Sequence, residues 1–524
     1  MNLRLLRQVL VIGLIVLAAC AGWGWLSRRC RTGGDAGGMA VGGDPSPPAA
    51  DLEHRIAAFC GDCHAVPQPA SFPRDAWHDE VRQGYVFYAR SGRTDLDPPS
   101  LGETVAYFRA RAAARVQFPQ PAEATTPLGL TFHQEQISEH PQAGIPPAVS
   151  HLKWCRLRKD QAAFLVACDM RRGTVTALDL ARLDRSIQVL ASLDNPCHVE
   201  PCDLDGDGHM DLLVADLGGF LPDDHQHGRV VWLRQDGANR SFEVRVIAEG
   251  LGRVVDMRPA DFDSDGDLDL VVAEFGMYRT GGIWLLKNVA AAGDAPQFER
   301  HLLDGRPGSI HVPVHDWNGD GREDFLALIS QEYESVEIFS NLGRGHFRRR
   351  PLWRAPDLTF GSSGVELADL DGDGDLDILF TNGDAFDNMY ATPWHGIQWL
   401  ENVDGRQFTY HLLAAMTGAY RALAGDLDGD GDLDIVAVSW LPSQVMPAEL
   451  RDASLPSVVC LEQIAPGRFA YHALDRGQTI HAACELGDFD GDGDLDLAVG
   501  SHVPHTRGVS HWLTIWWNQR IGRK

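Results

Sequence analysis

Cys60-Gly61-Asp62-Cys63-His64 is a stretch whose residue types and spacing can do chemistry. Two thiols three positions apart, followed at once by an imidazole, form the pattern that attaches a c-type haem. Cys60 and Cys63 are the expected covalent anchors, and His64 the expected axial ligand of the iron. A short zinc site is the competing reading, but it needs a fourth ligand, and there is no second cysteine pair nearby. The opposite axial ligand is not a methionine, since none occurs between Met39 and Met170. His78, Tyr85 and Tyr88 lie at a suitable distance along the chain, and His78 is the first choice. The plainer reading makes His78 an exposed helical histidine beside Trp77. Without a thioether ligand, the potential of such a haem should fall below that of a His/Met centre.

A second chemistry recurs six times. The pattern Asp-x-Asp/Asn-x-Asp-Gly-x-x-Asp starts at 203, 261, 316, 369, 426 and 488. Its alternate side chains converge on one point, its glycine permits a turn at positive φ, and its donors are all oxygen, which suits Ca²⁺. The expected ligands are Asp203, Asp205, Asp207 and Asp211, then Asp261, Asp263, Asp265 and Asp269. The third loop offers Asp316, Asn318, Asp320 and Asp324, and the fourth Asp369, Asp371, Asp373 and Asp377. Asp426, Asp428, Asp430 and Asp434 follow, then Asp488, Asp490, Asp492 and Asp496. About six Ca²⁺ ions are expected. The alternative is an acidic β-turn without metal, in which four carboxylates would repel one another.

Counting back from each loop into the strand that enters it gives a third set: His151, His198, Asp256, His311, Gly364, Arg421 and His481. If that strand is the innermost of its sheet, these residues face a common axis. Converging imidazoles there can hold a transition metal or a small anion, and they are the candidate catalytic positions. The alternative is a wet polar lining hydrogen-bonded to water.

The elements that position these groups are legible in outline. The formal charge is −27, from 73 acidic and 46 basic residues, which argues against nucleic acid as a partner. Arg4 and Arg7 precede an apolar run that ends in Leu17-Ala18-Ala19-Cys20. Residues 1–20 therefore read as a signal peptide with a lipobox, lipidated at Cys20 and tethering an exported chain to a membrane in the bacterial cell envelope. An uncleaved anchor helix and plain secretion remain alternatives. A Gly/Pro tether covers 21–50, and a small helical segment covers 51–118, with helices expected at 51–59, 74–90 and 102–115. Pro119 to Pro127 reads as a second linker. Cys30, Cys155, Cys168, Cys197, Cys202, Cys460 and Cys484 remain, with any disulfide connectivity open.

From 128 to 520 the loops recur 53 to 62 residues apart. Each is followed by an apolar run, a strand ending in an aromatic, and a Phe-led strand such as "FTYHLL" at 408–413. Four strands per unit is a propeller blade. A degenerate unit at 151–195 keeps the strands but carries Arg156 and Arg158 where the acids should be. The last unit lacks its fourth strand, and an orphan strand at 130–137 can supply it. The expected fold is an all-β, seven-bladed propeller closed between its termini, preceded by the helical segment.

The Asp loops with these flanks resemble the FG-GAP or VCBS repeats of extracellular bacterial proteins, related to the integrin α-subunit propeller. The resemblance covers roughly 130–519 and implies fold and calcium. "CGDCHAVPQP" followed by "FPRDAWHDEV" resembles small cytochrome c modules found beside such propellers. Together they imply an exported, membrane-tethered haem protein that transfers electrons, with the propeller docking a redox partner or a small molecule. A redox enzyme working at the axis and a carbohydrate- or protein-binding adhesion module are the alternatives. Long loops such as 218–228, with His225 and His227, and 439–456 mark one rim as the binding surface; those two histidines read as solvent-exposed.

Overall fold

The computed structural model describes residues 49–520, apart from 63, 143, 159–161, 183–184, 236–240, 278, 292–293, 387 and 504–510. The expected signal peptide, Cys20, Cys30, nearly all of the tether and Cys63 lie outside the described residues.

Seven antiparallel sheets form a β-propeller. Blade 1 consists of strands Val149–Cys155, Phe164–Asp169, Thr174–Leu178 and Ile187–Ser192. Blade 2 spans 196–251, blade 3 254–304, blade 4 309–354, blade 5 362–415 and blade 6 419–476. In these blades the strand order in space is the order in sequence, from the axis outward. Blade 7 takes its three inner strands from 481–520 and its outermost from Leu130–Ile137. That strand pairs with Leu513–Arg520 from Leu130↔Arg520 to Ile137↔Leu513 without a slip, so the first and last strands share one sheet.

Burial explains the sequence of each strand. The second strands, such as Asp211–Asp216, Asp324–Ile329 and Asp434–Ser439, are buried at every position. They are sandwiched between neighbouring blades, so both faces must be apolar and the alternating pattern is lost. The fourth strands are half exposed, as in Phe408–Ala415, and they alternate. One core cluster joins Cys168 and Val175 of blade 1 to Val199, Leu212 and Val231 of blade 2. Each buried Val or Leu of this kind contributes about 1.5–3 kcal/mol. The innermost strand of blade 4 is split into Ser309–His311 and Val314–His315, around Pro313, which has no N–H to give to the ladder.

Three helices precede the propeller: α1 (Ala49–Cys60), α2 (Trp77–Ser91) and α3 (Leu101–Arg111). Ser100 and Glu103 close a reciprocal capping box on α3, and Gly92 ends α2 at φ 72°. Trp77 stacks on Phe108 with ring centroids 4.2 Å apart, and both rings are 1% exposed. The stretch after the Cys pair fastens these helices to the propeller. Gln68 N–H and Ser71 Oγ donate to Asp357 Oδ2, at 2.5 and 2.8 Å. Trp394 Nε1 donates to Ser71 Oγ at 3.0 Å, and Phe72 packs edge-on against Tyr390 at 5.4 Å. The expected linker is tied down too: Ala124 N–H donates to Tyr471 O, and Glu123 pairs with Arg476.

No disulfide links the described cysteines. Cys168, Cys202, Cys460 and Cys484 are buried within separate blades, and burial pushes their thiols up, Cys484 to about 12. Among the described residues, no helix is long and apolar enough to cross a membrane.

Candidate functional site: acidic loops, a charged axis and a docked helical segment

The six Asp loops join the first and second strands of blades 2 to 7. Their sixth residue turns at positive φ, from 81° at Gly321 to 102° at Gly431. At Gly266 (φ 98°) a Cβ would meet nothing within 4 Å, so glycine is needed there for its conformation and not for room. The first carboxylate accepts the N–H of that sixth residue, as in Gly208 N–H to Asp203 at 2.9 Å and Gly374 N–H to Asp369 at 2.9 Å.

The ninth aspartate is held differently from its expected role as a simple ligand. Its Oδ1 accepts a backbone N–H from the third strand: Gln235 to Asp211 at 2.7 Å, Asn402 to Asp377 at 2.7 Å, Asn518 to Asp496 at 2.8 Å. Its Oδ2 accepts the N–H of loop residue two, as from Leu370 at 2.9 Å and Phe489 at 3.0 Å. The ninth carboxylate therefore ties loop to sheet, with lone pairs left over for a cation.

In five loops three carboxylates bring oxygens within 4.8 Å of one another: Asp203/Asp205/Asp211, Asp261/Asp263/Asp265, Asp369/Asp371/Asp377, Asp426/Asp428/Asp430 and Asp488/Asp490/Asp492. Oxygens of Asp203, Asp205, Asp263 and Asp426 are buried without a hydrogen bond. Burial, then the neighbouring carboxylates, pushes Asp269, Asp434 and Asp496 up to about 7. Such a cage of crowded oxygens fits a Ca²⁺ ion. The blade 4 loop departs from this. Asn318 Nδ2 donates to Asp324 at 3.1 Å, and Arg322 covers Asp320 at 2.5 Å. Arg234 likewise reaches Asp205 and Asp207, at 2.6 and 2.8 Å.

At the axis the structure brings together His151, His198, Asp256 and His311. The rings of His151 and His198 lie 4.0 Å apart. His198 Nε2 is 3.1 Å from Asp256, and His311 Nδ1 is 3.4 Å from its other oxygen. A second ring sits two residues on. Arg258 bridges Asp256 (3.0 Å) and Glu200 (2.8 Å), and Arg421 pairs with Glu366 (2.8 Å). Burial pushes Glu485 up to about 7, with its Oε1 accepting Trp154 N–H at 2.9 Å. Asp256 is fully buried, yet Arg258 and His198 hold it well below the usual carboxylate range. His151 Nδ1 accepts the N–H of Val199 at 3.3 Å, so that nitrogen is already occupied. The outcome is a network of ion pairs.

His481 does not belong to this set. Every innermost strand carries a bulge, and its register places His198, Asp256, Arg421 and Ala483 at equivalent positions. His481 comes two residues earlier and lines a separate cavity of about 220 Å³ with Gln134, Asp475, His511 and Trp516. Gly364 contributes no side chain to the axis.

In the helical segment, Cys60 ends α1, partly buried beside Tyr85 and Tyr107, and burial pushes its thiol up to about 11. Gly61 permits the next turn: a Cβ there would meet Ala57 O at 2.6 Å. Phe59 packs on Tyr85 and Tyr88 with centroids 5.0 and 5.1 Å apart. His64 Nδ1 contacts Ala65 O at 2.8 Å, which fixes the proton on Nδ1 and leaves the Nε2 lone pair for a metal. That donor set fits a c-type haem. His64 also lies within electrostatic reach of Glu332 in the propeller. His78 stands exposed at the start of α2, 3.2 Å from Asp79. Tyr85 and Tyr88 give their hydroxyls to Pro99 O and Leu96 O.

Two stretches of the chain, 189–272 and 316–380, match the model of the FG-GAP-like repeat. The blades carry FG-GAP-like repeats. The chain also superposes on the crystal structure of a putative oxidoreductase (glucose dehydrogenase) from Thermus thermophilus. That match has a TM-score of 0.35 and 15% identity, over 65% of this chain and 98% of that one. No curated protein matches the chain. Sequence reading missed the second charged ring of the FG-GAP-like propeller, formed by Lys153, Glu200, Arg258, Glu366 and Glu485. The signal was present, because residues i and i+2 of a strand share a face. It also missed Arg253, discussed below, which sits in no recurring position.

Proposed function

We propose that this chain is an exported, membrane-tethered electron-transfer protein: a haem segment seated on a calcium-stabilised propeller that docks its redox partner. The observation that carries the reading is the seating itself. The stretch right after Cys60 and His64 is bonded through Gln68 and Ser71 to the fully buried Asp357 of the propeller. The redox group is thereby fixed over the rim that bears the long loops, where a partner or small molecule can approach both. Cys60 and Cys63 would anchor the haem and His64 would bind its iron; when bound, the haem supplies one-electron chemistry. The propeller's part is positional, and Ca²⁺ in the loops stiffens it. Export and tethering rest on the apolar run and Leu17-Ala18-Ala19-Cys20.

The test is a reduced-minus-oxidised absorption spectrum of protein matured in a bacterial periplasm, with mass spectrometry of the denatured chain. A covalently bound haem is expected, lost in the double variant Cys60→Ser/Cys63→Ser. In His64→Ala the haem should stay attached while its spectrum changes. A colourless wild-type protein overturns the proposal.

A further inference from the structure

Arg253 stands just before the innermost strand of blade 3, Val254–Ala260, at the mouth of the axis on the helical segment's side. It is 8% exposed. Its Nε has no partner, and among the described residues no carboxylate or carbonyl accepts from its guanidinium. Arg172, equally buried, donates to Ile145 O at 2.9 Å and faces Asp169 at 3.5 Å. Arg253 has only the face of Phe275, 5.5 Å below it. Burying an unpaired cation costs several kcal/mol, so the position calls for an anion.

Groups from four blades surround it. Cys197 of blade 2, Tyr420 of blade 6, Asp384 of blade 5 and Asp223 of the long blade 2 loop all lie within its electrostatic reach. The two aspartates are too far to pair with it, but near enough to repel a second negative charge on a ligand. A guanidinium fork matches a carboxylate through two parallel N–H···O bonds. Phe275 and Tyr420 offer flat surfaces to the remainder of such a molecule.

We propose that the mouth of the central channel binds the carboxylate of a small organic molecule, with Arg253 as its anchor. The site stands whether or not the helical segment carries haem. It is separate from the Asp256 network, whose charges are already paired.

The experiment is isothermal titration of the full chain with acetate and with benzoate at constant ionic strength, with inorganic phosphate in parallel. One saturable site per chain is expected for the carboxylates, with phosphate at least roughly tenfold weaker. Arg253→Met keeps the apolar stem and removes the charge, and should weaken the carboxylates by roughly tenfold or more. In ligand-free buffer Arg253→Met should melt no lower than wild type, since no partner is lost. Three results overturn the proposal: no carboxylate binding, equal binding by wild type and Arg253→Met, or tighter binding of phosphate. Unfolding of Arg253→Met would also count against it, because it would mean the guanidinium has a partner within the fold.

Discussion

The ninth aspartate of each loop shows how one side chain serves two ends. Asp434 accepts Gln463 N–H at 2.9 Å and Leu427 N–H at 3.1 Å. Asp434→Asn turns an amide donor toward one of those N–H groups. It should cost about 1–3 kcal/mol in urea denaturation, and the loss should persist in EGTA, where calcium ligation no longer contributes. A loss that vanishes in EGTA would make Asp434 a metal ligand only. His395 gives a pH test. It is 2% exposed, its Nδ1 accepts Gly418 N–H at 3.2 Å, and burial lowers it to about 3. Between that value and an unfolded pKa of about 6.5, the unfolded chain holds the extra proton. Stability should therefore fall as pH drops below about 6.5, with a limiting slope near ~1.4 kcal/mol per pH unit from this residue. His395→Gln should flatten the profile by about one proton; an unchanged slope refutes the assignment. At this scale sequence reading was strongest where chemistry repeats. It placed His198 and Asp256 together, but it took His481 where blade 7 has Ala483, because the bulge that sets the register leaves no mark in residue type.

At the scale of the element, the hairpin loop is the unit of calcium binding. Five loops gather three acids, and the blade 4 loop puts Asn318 and Arg322 in their place. Protein passed through chelating resin and reloaded should hold five tightly bound Ca²⁺, not six, by plasma mass spectrometry. Asn318→Asp with Arg322→Ala should add the sixth. A ligand at a hundred times its Kd stabilises by about 2.7 kcal/mol, so EGTA should lower the melting temperature by roughly 10 °C or more. An unchanged melting point would make the loops acidic turns. The loops were visible in the sequence because oxygen ligation demands fixed residue types at fixed spacing. The linker at 119–127 was misjudged for the opposite reason. Its hold on Tyr471 runs through a backbone N–H, which any residue but proline supplies.

For the whole molecule, closure and docking decide the account. The strand Leu130–Ile137 seals blade 7 against Leu513–Arg520. A chain beginning at 138 should expose that edge, lose cooperative unfolding and aggregate, as followed by light scattering. The ring was legible because the count of strands per unit left one over at each end. The seat of the helices was not, since Asp357, Ser71 and Trp394 belong to no repeat. Asp357→Ala should free the helical segment, read as new protease cleavage between 112 and 127 while the propeller stays intact. The seat is tested most directly by anomalous X-ray scattering at the iron edge from crystals of periplasmically matured protein. One iron is expected beside His64, on the rim of blades 4 and 5 near Glu332 and Asp357. An iron at the axial histidines instead, or none at all, would contradict the account.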